Sequence, residues 1–178
     1  MALRKASSYS RFTARPYTRK SAKKAKSYIK TIPATKVVKM NMGNIQAYEQ
    51  GKFPIILRMT ATQDVQLRDN AIESARQYIH HELEAYFLGQ YYFGVKVYPH
   101  HILRENKMLT GAGADRMQTG MQLSFGVTIG RAALVKKGKE IFIVAVGSEK
   151  AAKAARGYME RIKAKLPCTT RIMVEKKA

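Results

Sequence analysis

The alternation of apolar and polar positions divides the chain into helical and extended stretches. Asp69 to Leu88 carries Ile72, Ala75, Ile79, Leu83 and Phe87 at the three-and-four spacing of one buried helical face. Asn70 followed by Glu73 reads as a capping pair, and Gly89 as the stop. A second helix opens at Gly147 and Ser148, with Ser148 as the expected N-cap. Its buried face is Ala151, Ala155, Tyr158, Ile162 and Leu166, and Pro167 ends it. Period-two patterns predict strands. Pro54 to Thr62 puts Ile55, Leu57, Met59 and Ala61 on one face, and Tyr91 to Tyr98 alternates Tyr91, Phe93, Val95 and Val97 with polar positions. Thr35 to Met42, Ser124 to Val135 and Thr169 to Glu175 also read as strands. Glu140 to Val146 is apolar on both faces and is expected at the centre of a sheet, after a hairpin turn at Lys136 to Lys139.

These elements predict an α+β fold, with two helices packed on one face of a mixed, mainly antiparallel sheet. The stretch that resists this reading is His100 to Gly126. It holds Gly111, Gly113, Gly120 and Gly126, with Arg104, Lys107 and Arg116 interleaved and Arg131 beyond. Glycine permits close backbone approach, basic side chains beside it favour an anionic partner, and a loop this long is usually functional or disordered.

Charge changes the picture more than composition does. The 178 residues carry a net charge of +21, which calls for a polyanion or an acidic membrane. No acid precedes Glu49, and the first 48 residues alone hold 12 Lys and Arg. The division expected is a basic extended arm over residues 1–33 and a single α+β domain over 34–178. In the arm Tyr9, Phe12, Tyr17 and Tyr28 are spaced among the cations. They could stack on bases while the cations meet phosphates, or pack onto the domain beneath a solvated tail. An organellar transit peptide is weighed by composition, but Pro16, Pro33 and the close lysines argue against a clean amphipathic helix. Arms of this kind commonly fold on binding, so residues 1–33 and part of 101–120 are expected to be disordered in the free protein. The acids Glu73, Glu82 and Glu84 on the first helix suggest that it faces water or protein, away from RNA.

Several chemistries lack their residues. The lone Cys168 supplies neither an internal disulfide nor a zinc set, and the adjacent pairs His80–His81 and His100–His101 are not at chelating spacing. The GAGADR segment is followed by no Gly-Lys-Ser/Thr and lacks the third glycine of a dinucleotide fingerprint. Glu105 and Asp115 could form a carboxylate pair, though each sits next to a cation, Arg104 or Arg116. No apolar run is long enough to span a bilayer. The expectation is a non-enzyme without metal or cofactor, not in a membrane and not a homo-oligomer. The rivals are an enzyme binding a phosphate-bearing cofactor at the glycine loop and a non-specific DNA-compacting module.

The segment NKMLTGAGADRMQTGM, residues 106–121, resembles the signature of large-subunit ribosomal proteins of the L ten e type, within the universal L sixteen family. VYPHHILRE (Val97 to Glu105) and SFG (Ser124 to Gly126) match as well, and the likeness extends over the helix at 69–88 and the basic arm. The loop is closer to the archaeal form than to the eukaryotic one, which carries a Ser-Cys variant and a long C-terminal extension. One departure is local. Where the family commonly has Arg after Met121 and Lys-Pro after the SFG segment, this chain has Gln122, Val127 and Thr128. Basic contacts along that strand are therefore expected to be weaker, leaving the backbone at Gly126 and Gly130.

The resemblance implies a structural, cytoplasmic large-subunit protein with large-subunit rRNA, the aminoacyl-tRNA acceptor arm and neighbouring large-subunit proteins as partners. It places the protein near the base of the central protuberance, with the loop directed at the peptidyl transferase centre. Arg4, Lys5, Arg11, Arg15, Arg19, Lys20, Lys23 and Lys24 are the expected rRNA contacts. His101, Arg104, Lys107, Gly111, Gly113, Arg116 and Gly120 are the expected tRNA- or rRNA-facing loop. Replacing Gly113 with Val is expected to impair subunit activity more than soluble yield. The reverse result, read from subunit assays beside expression, would show that this glycine only shapes a turn.

Overall fold

The computed structural model describes residues 5–18, 29, 31–105 and 126–176. Among the described residues, eight strands and three helices form an α+β fold. The strands are β1 (Asn41–Gly43), β2 (Ile55–Ala61), β3 (Val65–Arg68), β4 (Tyr91–Val95), β5 (His101–Glu105), β6 (Val127–Val135), β7 (Glu140–Val146) and β8 (Thr170–Lys176). The helices are α1 (Ile45–Glu49), α2 (Asp69–Tyr86) and α3 (Glu149–Ile162).

The strands divide between two sheets, where one was expected. Five run in the order β1-β4-β7-β2-β8 and three in the order β3-β6-β5. The pairings in both sheets are antiparallel, so the expected mixed character is absent among the described residues. β7 lies at the centre of the larger sheet, as its two apolar faces require. One face, through Leu57, Met59, Phe93, Phe142 and Val144, packs under α2 and α3. Phe93 and Phe142 meet as a tilted pair, with ring centroids 5.7 Å apart at 46°. The opposite face carries a smaller cluster of Ile56, Tyr92, Ile143 and Ala145, covered by Phe53 and by Ala47 of α1. Tyr48 stacks on Tyr92 at 3.9 Å.

Ser148 caps α3 as expected, its hydroxyl accepting the Ala151 N–H. The buried residue in the third turn of α3 is Met159, fully covered, with Tyr158 at the boundary. The expected Asn70–Glu73 cap on α2 does not form. Arg68 occupies the N-cap position without a side-chain bond, and Glu73 turns inward to Arg76. That pair is buried, with bonds of 2.6 and 2.8 Å, and the Glu73 carboxylate also accepts the Val38 N–H at 3.3 Å. Asp69 takes the Lys36 N–H at 3.2 Å. These side chains hold Thr35 to Lys39, which pairs with no strand; the Met40 carbonyl accepts the Val95 N–H of β4 at 2.8 Å, and Asn41–Gly43 enters the sheet as β1.

Four further features differ from the expectations. Residues 101–105, read as the start of the loop, are strand β5, and Val65–Arg68, left unassigned, is strand β3. β4 stops at Val95, after which the chain passes to the smaller sheet. Lys136 to Lys139 is a turn but not a hairpin, because β6 and β7 belong to different sheets. The turn is held by the Asp64 carboxylate on the Lys137 N–H at 2.7 Å and by Gly138 N–H on the Ala61 carbonyl at 2.8 Å.

Gly43 has φ +80°, and a Cβ there would lie 2.3 Å from the Tyr91 carbonyl oxygen. Gly89 has φ +70° with open space around it. Gly43→Ala is expected to cost about 3 kcal/mol or more, since overpacking adds to the left-handed backbone term. Gly89→Ala should cost only about 1–2 kcal/mol. Denaturant unfolding of the two variants tests this order.

Candidate nucleic-acid interface

The smaller sheet is the base on which the expected RNA-facing segments meet. Its outer strands, β3 and β5, each have a free edge beyond β6. Residues 5–18 join those two edges as a strap that begins with a short 3-10 turn at Ala6–Tyr9. Gln66 N–H of β3 donates to the Ser10 carbonyl at 3.0 Å, and Ile102 N–H of β5 donates to the Tyr17 carbonyl at 2.9 Å. The Gln66 side chain fastens the middle. Its amide donates to the Tyr9 carbonyl at 2.6 Å and its oxygen accepts the Thr13 hydroxyl at 3.2 Å. A groove of about 450 Å³ remains between strap and sheet, lined in part by Phe12, Tyr17, His101 and Arg104.

The strap aromatics lie against the protein, so of the two readings weighed for Tyr9, Phe12 and Tyr17 the packed one holds. All three are half-buried. Tyr9 donates its hydroxyl to Glu105 at 3.2 Å and lies under the Arg68 guanidinium. Tyr17 lies under Arg104 at 4.3 Å from its ring centroid and beside the His101 ring at 5.7 Å. Lys5, Arg11 and Arg15 are exposed on this strap. With the aromatics turned inward and the cations outward, the strap presents charge on a fixed backbone. Arg4, Arg19, Lys20, Lys23, Lys24 and Tyr28 lie outside the described residues.

The glycine-rich loop leaves from β5 and returns into β6, and its last described flanks, Glu105 and Val127, face each other across the ladder. The ladder shifts register between Leu103 and Arg104, leaving Ile129 as the extra residue on β6. Lys107, Gly111, Gly113, Asp115, Arg116, Gly120 and Gln122 lie outside the described residues. Arg131 turns to the protein, donating to the Pro33 carbonyl at 2.6 Å and to the Tyr98 hydroxyl at 3.3 Å. Thr128, at one of the departures from the family pattern, donates to the Thr31 carbonyl at 3.1 Å.

His101 joins strap and loop root. It is buried, and its Nδ1 accepts the Tyr17 N–H at 2.9 Å. Burial first, then His100 and Arg104, lower its pKa to about 4. The ring is therefore neutral at pH 7, with its proton on Nε2. Gln66, Glu105, Tyr9 and Tyr17 are functional fasteners that the sequence did not single out as such. Their signal, a polar residue inside a four-residue strand or a tyrosine among cations, is too common to read without the fold.

Among the described residues no three His, Cys, Asp or Glu side chains gather as a metal set, and no helix is long and apolar enough to cross a membrane. Burial raises the Cys168 thiol to about 11, which keeps it protonated and a poor nucleophile.

A family model described as ribosomal protein L16p/L10e matches residues 15–173. The chain belongs to that family. The protein named large ribosomal subunit protein uL16 in Methanococcus maripaludis is 43% identical over 180 residues, covering 99% of this chain and 96% of the relative. The protein of the same name in Thermofilum pendens is 40% identical, covering 98% of each chain. That of Pyrobaculum neutrophilum is 38% identical, covering 99% of this chain and 94% of the relative. The resemblance in the loop and flanking strands is thus one of the whole chain, of archaeal type. A member of this family is a structural, non-enzymatic constituent of the large subunit of the cytoplasmic ribosome and serves translation.

The His101 geometry sets a pH dependence. Between the ordinary imidazole value of 6.5 and about 4, the unfolded chain binds a proton that the folded chain does not. Stability from this residue is complete above pH 6.5 and falls as pH drops towards 4. His101→Gln offers an amide oxygen to the same N–H without titrating. Thermal melts from pH 4 to 7 should show a shallower acid loss in this variant. An unchanged profile would mean that His101 does not hold the strap.

Proposed function

We propose that the chain binds large-subunit rRNA through its N-terminal arm and strap. From there it carries the 101–120 loop towards the aminoacyl-tRNA acceptor arm, beside the peptidyl transferase centre. The observation that supports this reading is the joint position of strap and loop root. Lys5, Arg11 and Arg15 stand exposed on a strap hydrogen-bonded to β5, the strand from which the loop departs. RNA held by the strap would thereby orient the loop. Arg4, Arg19, Lys20, Lys23 and Lys24 extend the same cationic arm, with residues 1–33 acting as the rRNA-binding unit and 34–178 as the domain that carries it. In the loop, Lys107 and Arg116 would meet phosphates, and Gly111, Gly113 and Gly120 would allow close approach of the backbone. Arg104 and His101 act at the root, where they hold Tyr17. The RNA performs the chemistry, and the protein acts as one copy among neighbouring large-subunit proteins.

The salt dependence of rRNA binding tests the arm. Arg11→Gln and Arg15→Gln should each reduce the slope of log affinity against log salt by about 0.7–0.9. An unchanged slope in the double variant would remove the strap from the interface. Equal affinity for duplex DNA and rRNA would favour a non-specific nucleic-acid module. For the loop, crosslinking from position 107 or 116 in assembled subunits should reach the tRNA acceptor end or nearby rRNA.

A further inference from the structure

A second cation–aromatic cluster lies away from the strap, along the seam between α2 and α3. On α2, Ser74, Tyr78, Glu82 and Tyr86 recur every four residues and form one row. On α3 and the 3-10 turn that extends it through Lys165, the facing residues are Tyr158, Arg161 and Lys165. The two rows meet rung by rung. Lys165 reaches the Ser74 hydroxyl at 3.2 Å and lies 5.2 Å from the Tyr78 ring centroid, and Arg161 donates to the Tyr78 hydroxyl at 3.2 Å. Tyr158 lies within the fields of Glu82, Tyr86, Tyr78 and Arg161. Tyr86 ends the row 69% exposed, more than packing between helices would leave.

The charge of this surface favours a polyanion. From Glu149 to Lys165 there are six basic residues against two acids, and all six basic side chains are exposed. Of the acids of α2 that on sequence grounds argued against RNA, two already have partners within the protein, although Glu84 is exposed. Glu73 is buried on Arg76, and Glu84 accepts the Tyr91 hydroxyl. Glu82 alone of the three stands in the seam. Tyr86 is exposed at the end of a row whose other tyrosine, Tyr78, holds Arg161 and Lys165, and an exposed tyrosine on a cationic surface can stack an unpaired base while the cations along the row neutralise its phosphates.

We propose that the α2–α3 seam is a second RNA-docking surface, in which Arg161 and Lys165 meet the phosphate backbone and Tyr86 stacks on an unpaired base. The proposal rests on the reading of the chain as an rRNA binder and adds a site separate from the strap. The strap runs along the outer edges of β3 and β5, whereas α3 packs on β2 and β7 and α2 on β3, β6 and β4, so a single copy would tie together two RNA segments.

The test uses the full chain and a large-subunit rRNA transcript in filter binding across a salt series. Arg161→Gln with Lys165→Gln should lower the slope by about 1.4–1.8, from two lost phosphate contacts. Arg161→Lys should keep the wild-type slope, which a loss of Tyr78 packing alone would not predict. Tyr86→Ala, at an exposed position, should weaken binding by about tenfold with the slope unchanged. If the seam variants bind as wild type while Arg11→Gln and Arg15→Gln lose slope, the seam proposal fails and the rRNA reading stands. If neither set changes the slope, both fail. Seam variants that bind rRNA normally but no longer co-sediment with the large subunit would make the seam a protein contact and overturn the RNA assignment.

Discussion

The Glu73 carboxylate is the contact on which much of the architecture depends. It is buried, it receives two N–H bonds from Arg76 and one each from Gln77 and the Val38 backbone, and its pKa is held down chiefly by Arg76. Arg76 in turn reaches the Met42 sulfur at 3.0 Å. One carboxylate thus fixes the start of β1 against α2, and removing either partner of such a buried pair typically costs about 3–5 kcal/mol. The same use of acids recurs through the fold. Asp64 holds the turn between the sheets, Asp69 holds Lys36, Glu105 holds Tyr9, and Glu140 and Glu175 both meet Arg58. In a chain with 33 basic and 12 acidic residues, the carboxylates are too few to neutralise the cations even where they pair with them at the surface, as Glu160 does with Arg156 and Glu149 with Lys176. The excess of cations is what attracts a polyanion.

The two sheets divide the labour. The five-stranded sheet is covered on one face by α3 and by α2, which also packs on β3 and β6, and on the other face by α1. The three-stranded sheet is smaller, and its free edges are occupied by the strap. β5 both receives the strap and leads into the loop, and Tyr17, His101 and Arg104 link the strap to the loop root. Edge strands that would otherwise invite pairing with another chain are also protected in this way.

Much of the local structure was legible in the residues. The face of α2, the cap of α3 at Ser148, the alternation of β2 and the central place of β7 follow from periodicity, capping chemistry and two-sided apolarity, which are local properties. The glycine-rich segment and the acid-free arm stand out in the sequence itself, and the family likeness rests on a motif long enough to be specific. Other features were not legible because their partners are distant in sequence. β3 is four residues with a glutamine inside, and nothing local says that Gln66 will bind residues 9 and 13. The Asn70–Glu73 cap failed because a guanidinium three residues further on competes more strongly for the carboxylate than a helix terminus does.

The sequence by itself determined the α+β class, the main helices and strands, the basic arm and the family, since each is written in spacing, charge or motif. Only the tertiary structure decided that there are two sheets, that the Lys136–Lys139 turn joins them, that Tyr9 and Tyr17 point inward, and that Arg161 and Lys165 meet Tyr78 of α2. The reason is physical. Periodicity specifies which face of an element is apolar, but which strand edge pairs with which, and which carboxylate meets which cation, is settled by contacts between residues as far apart in the chain as Tyr17 and His101, or Tyr78 and Arg161.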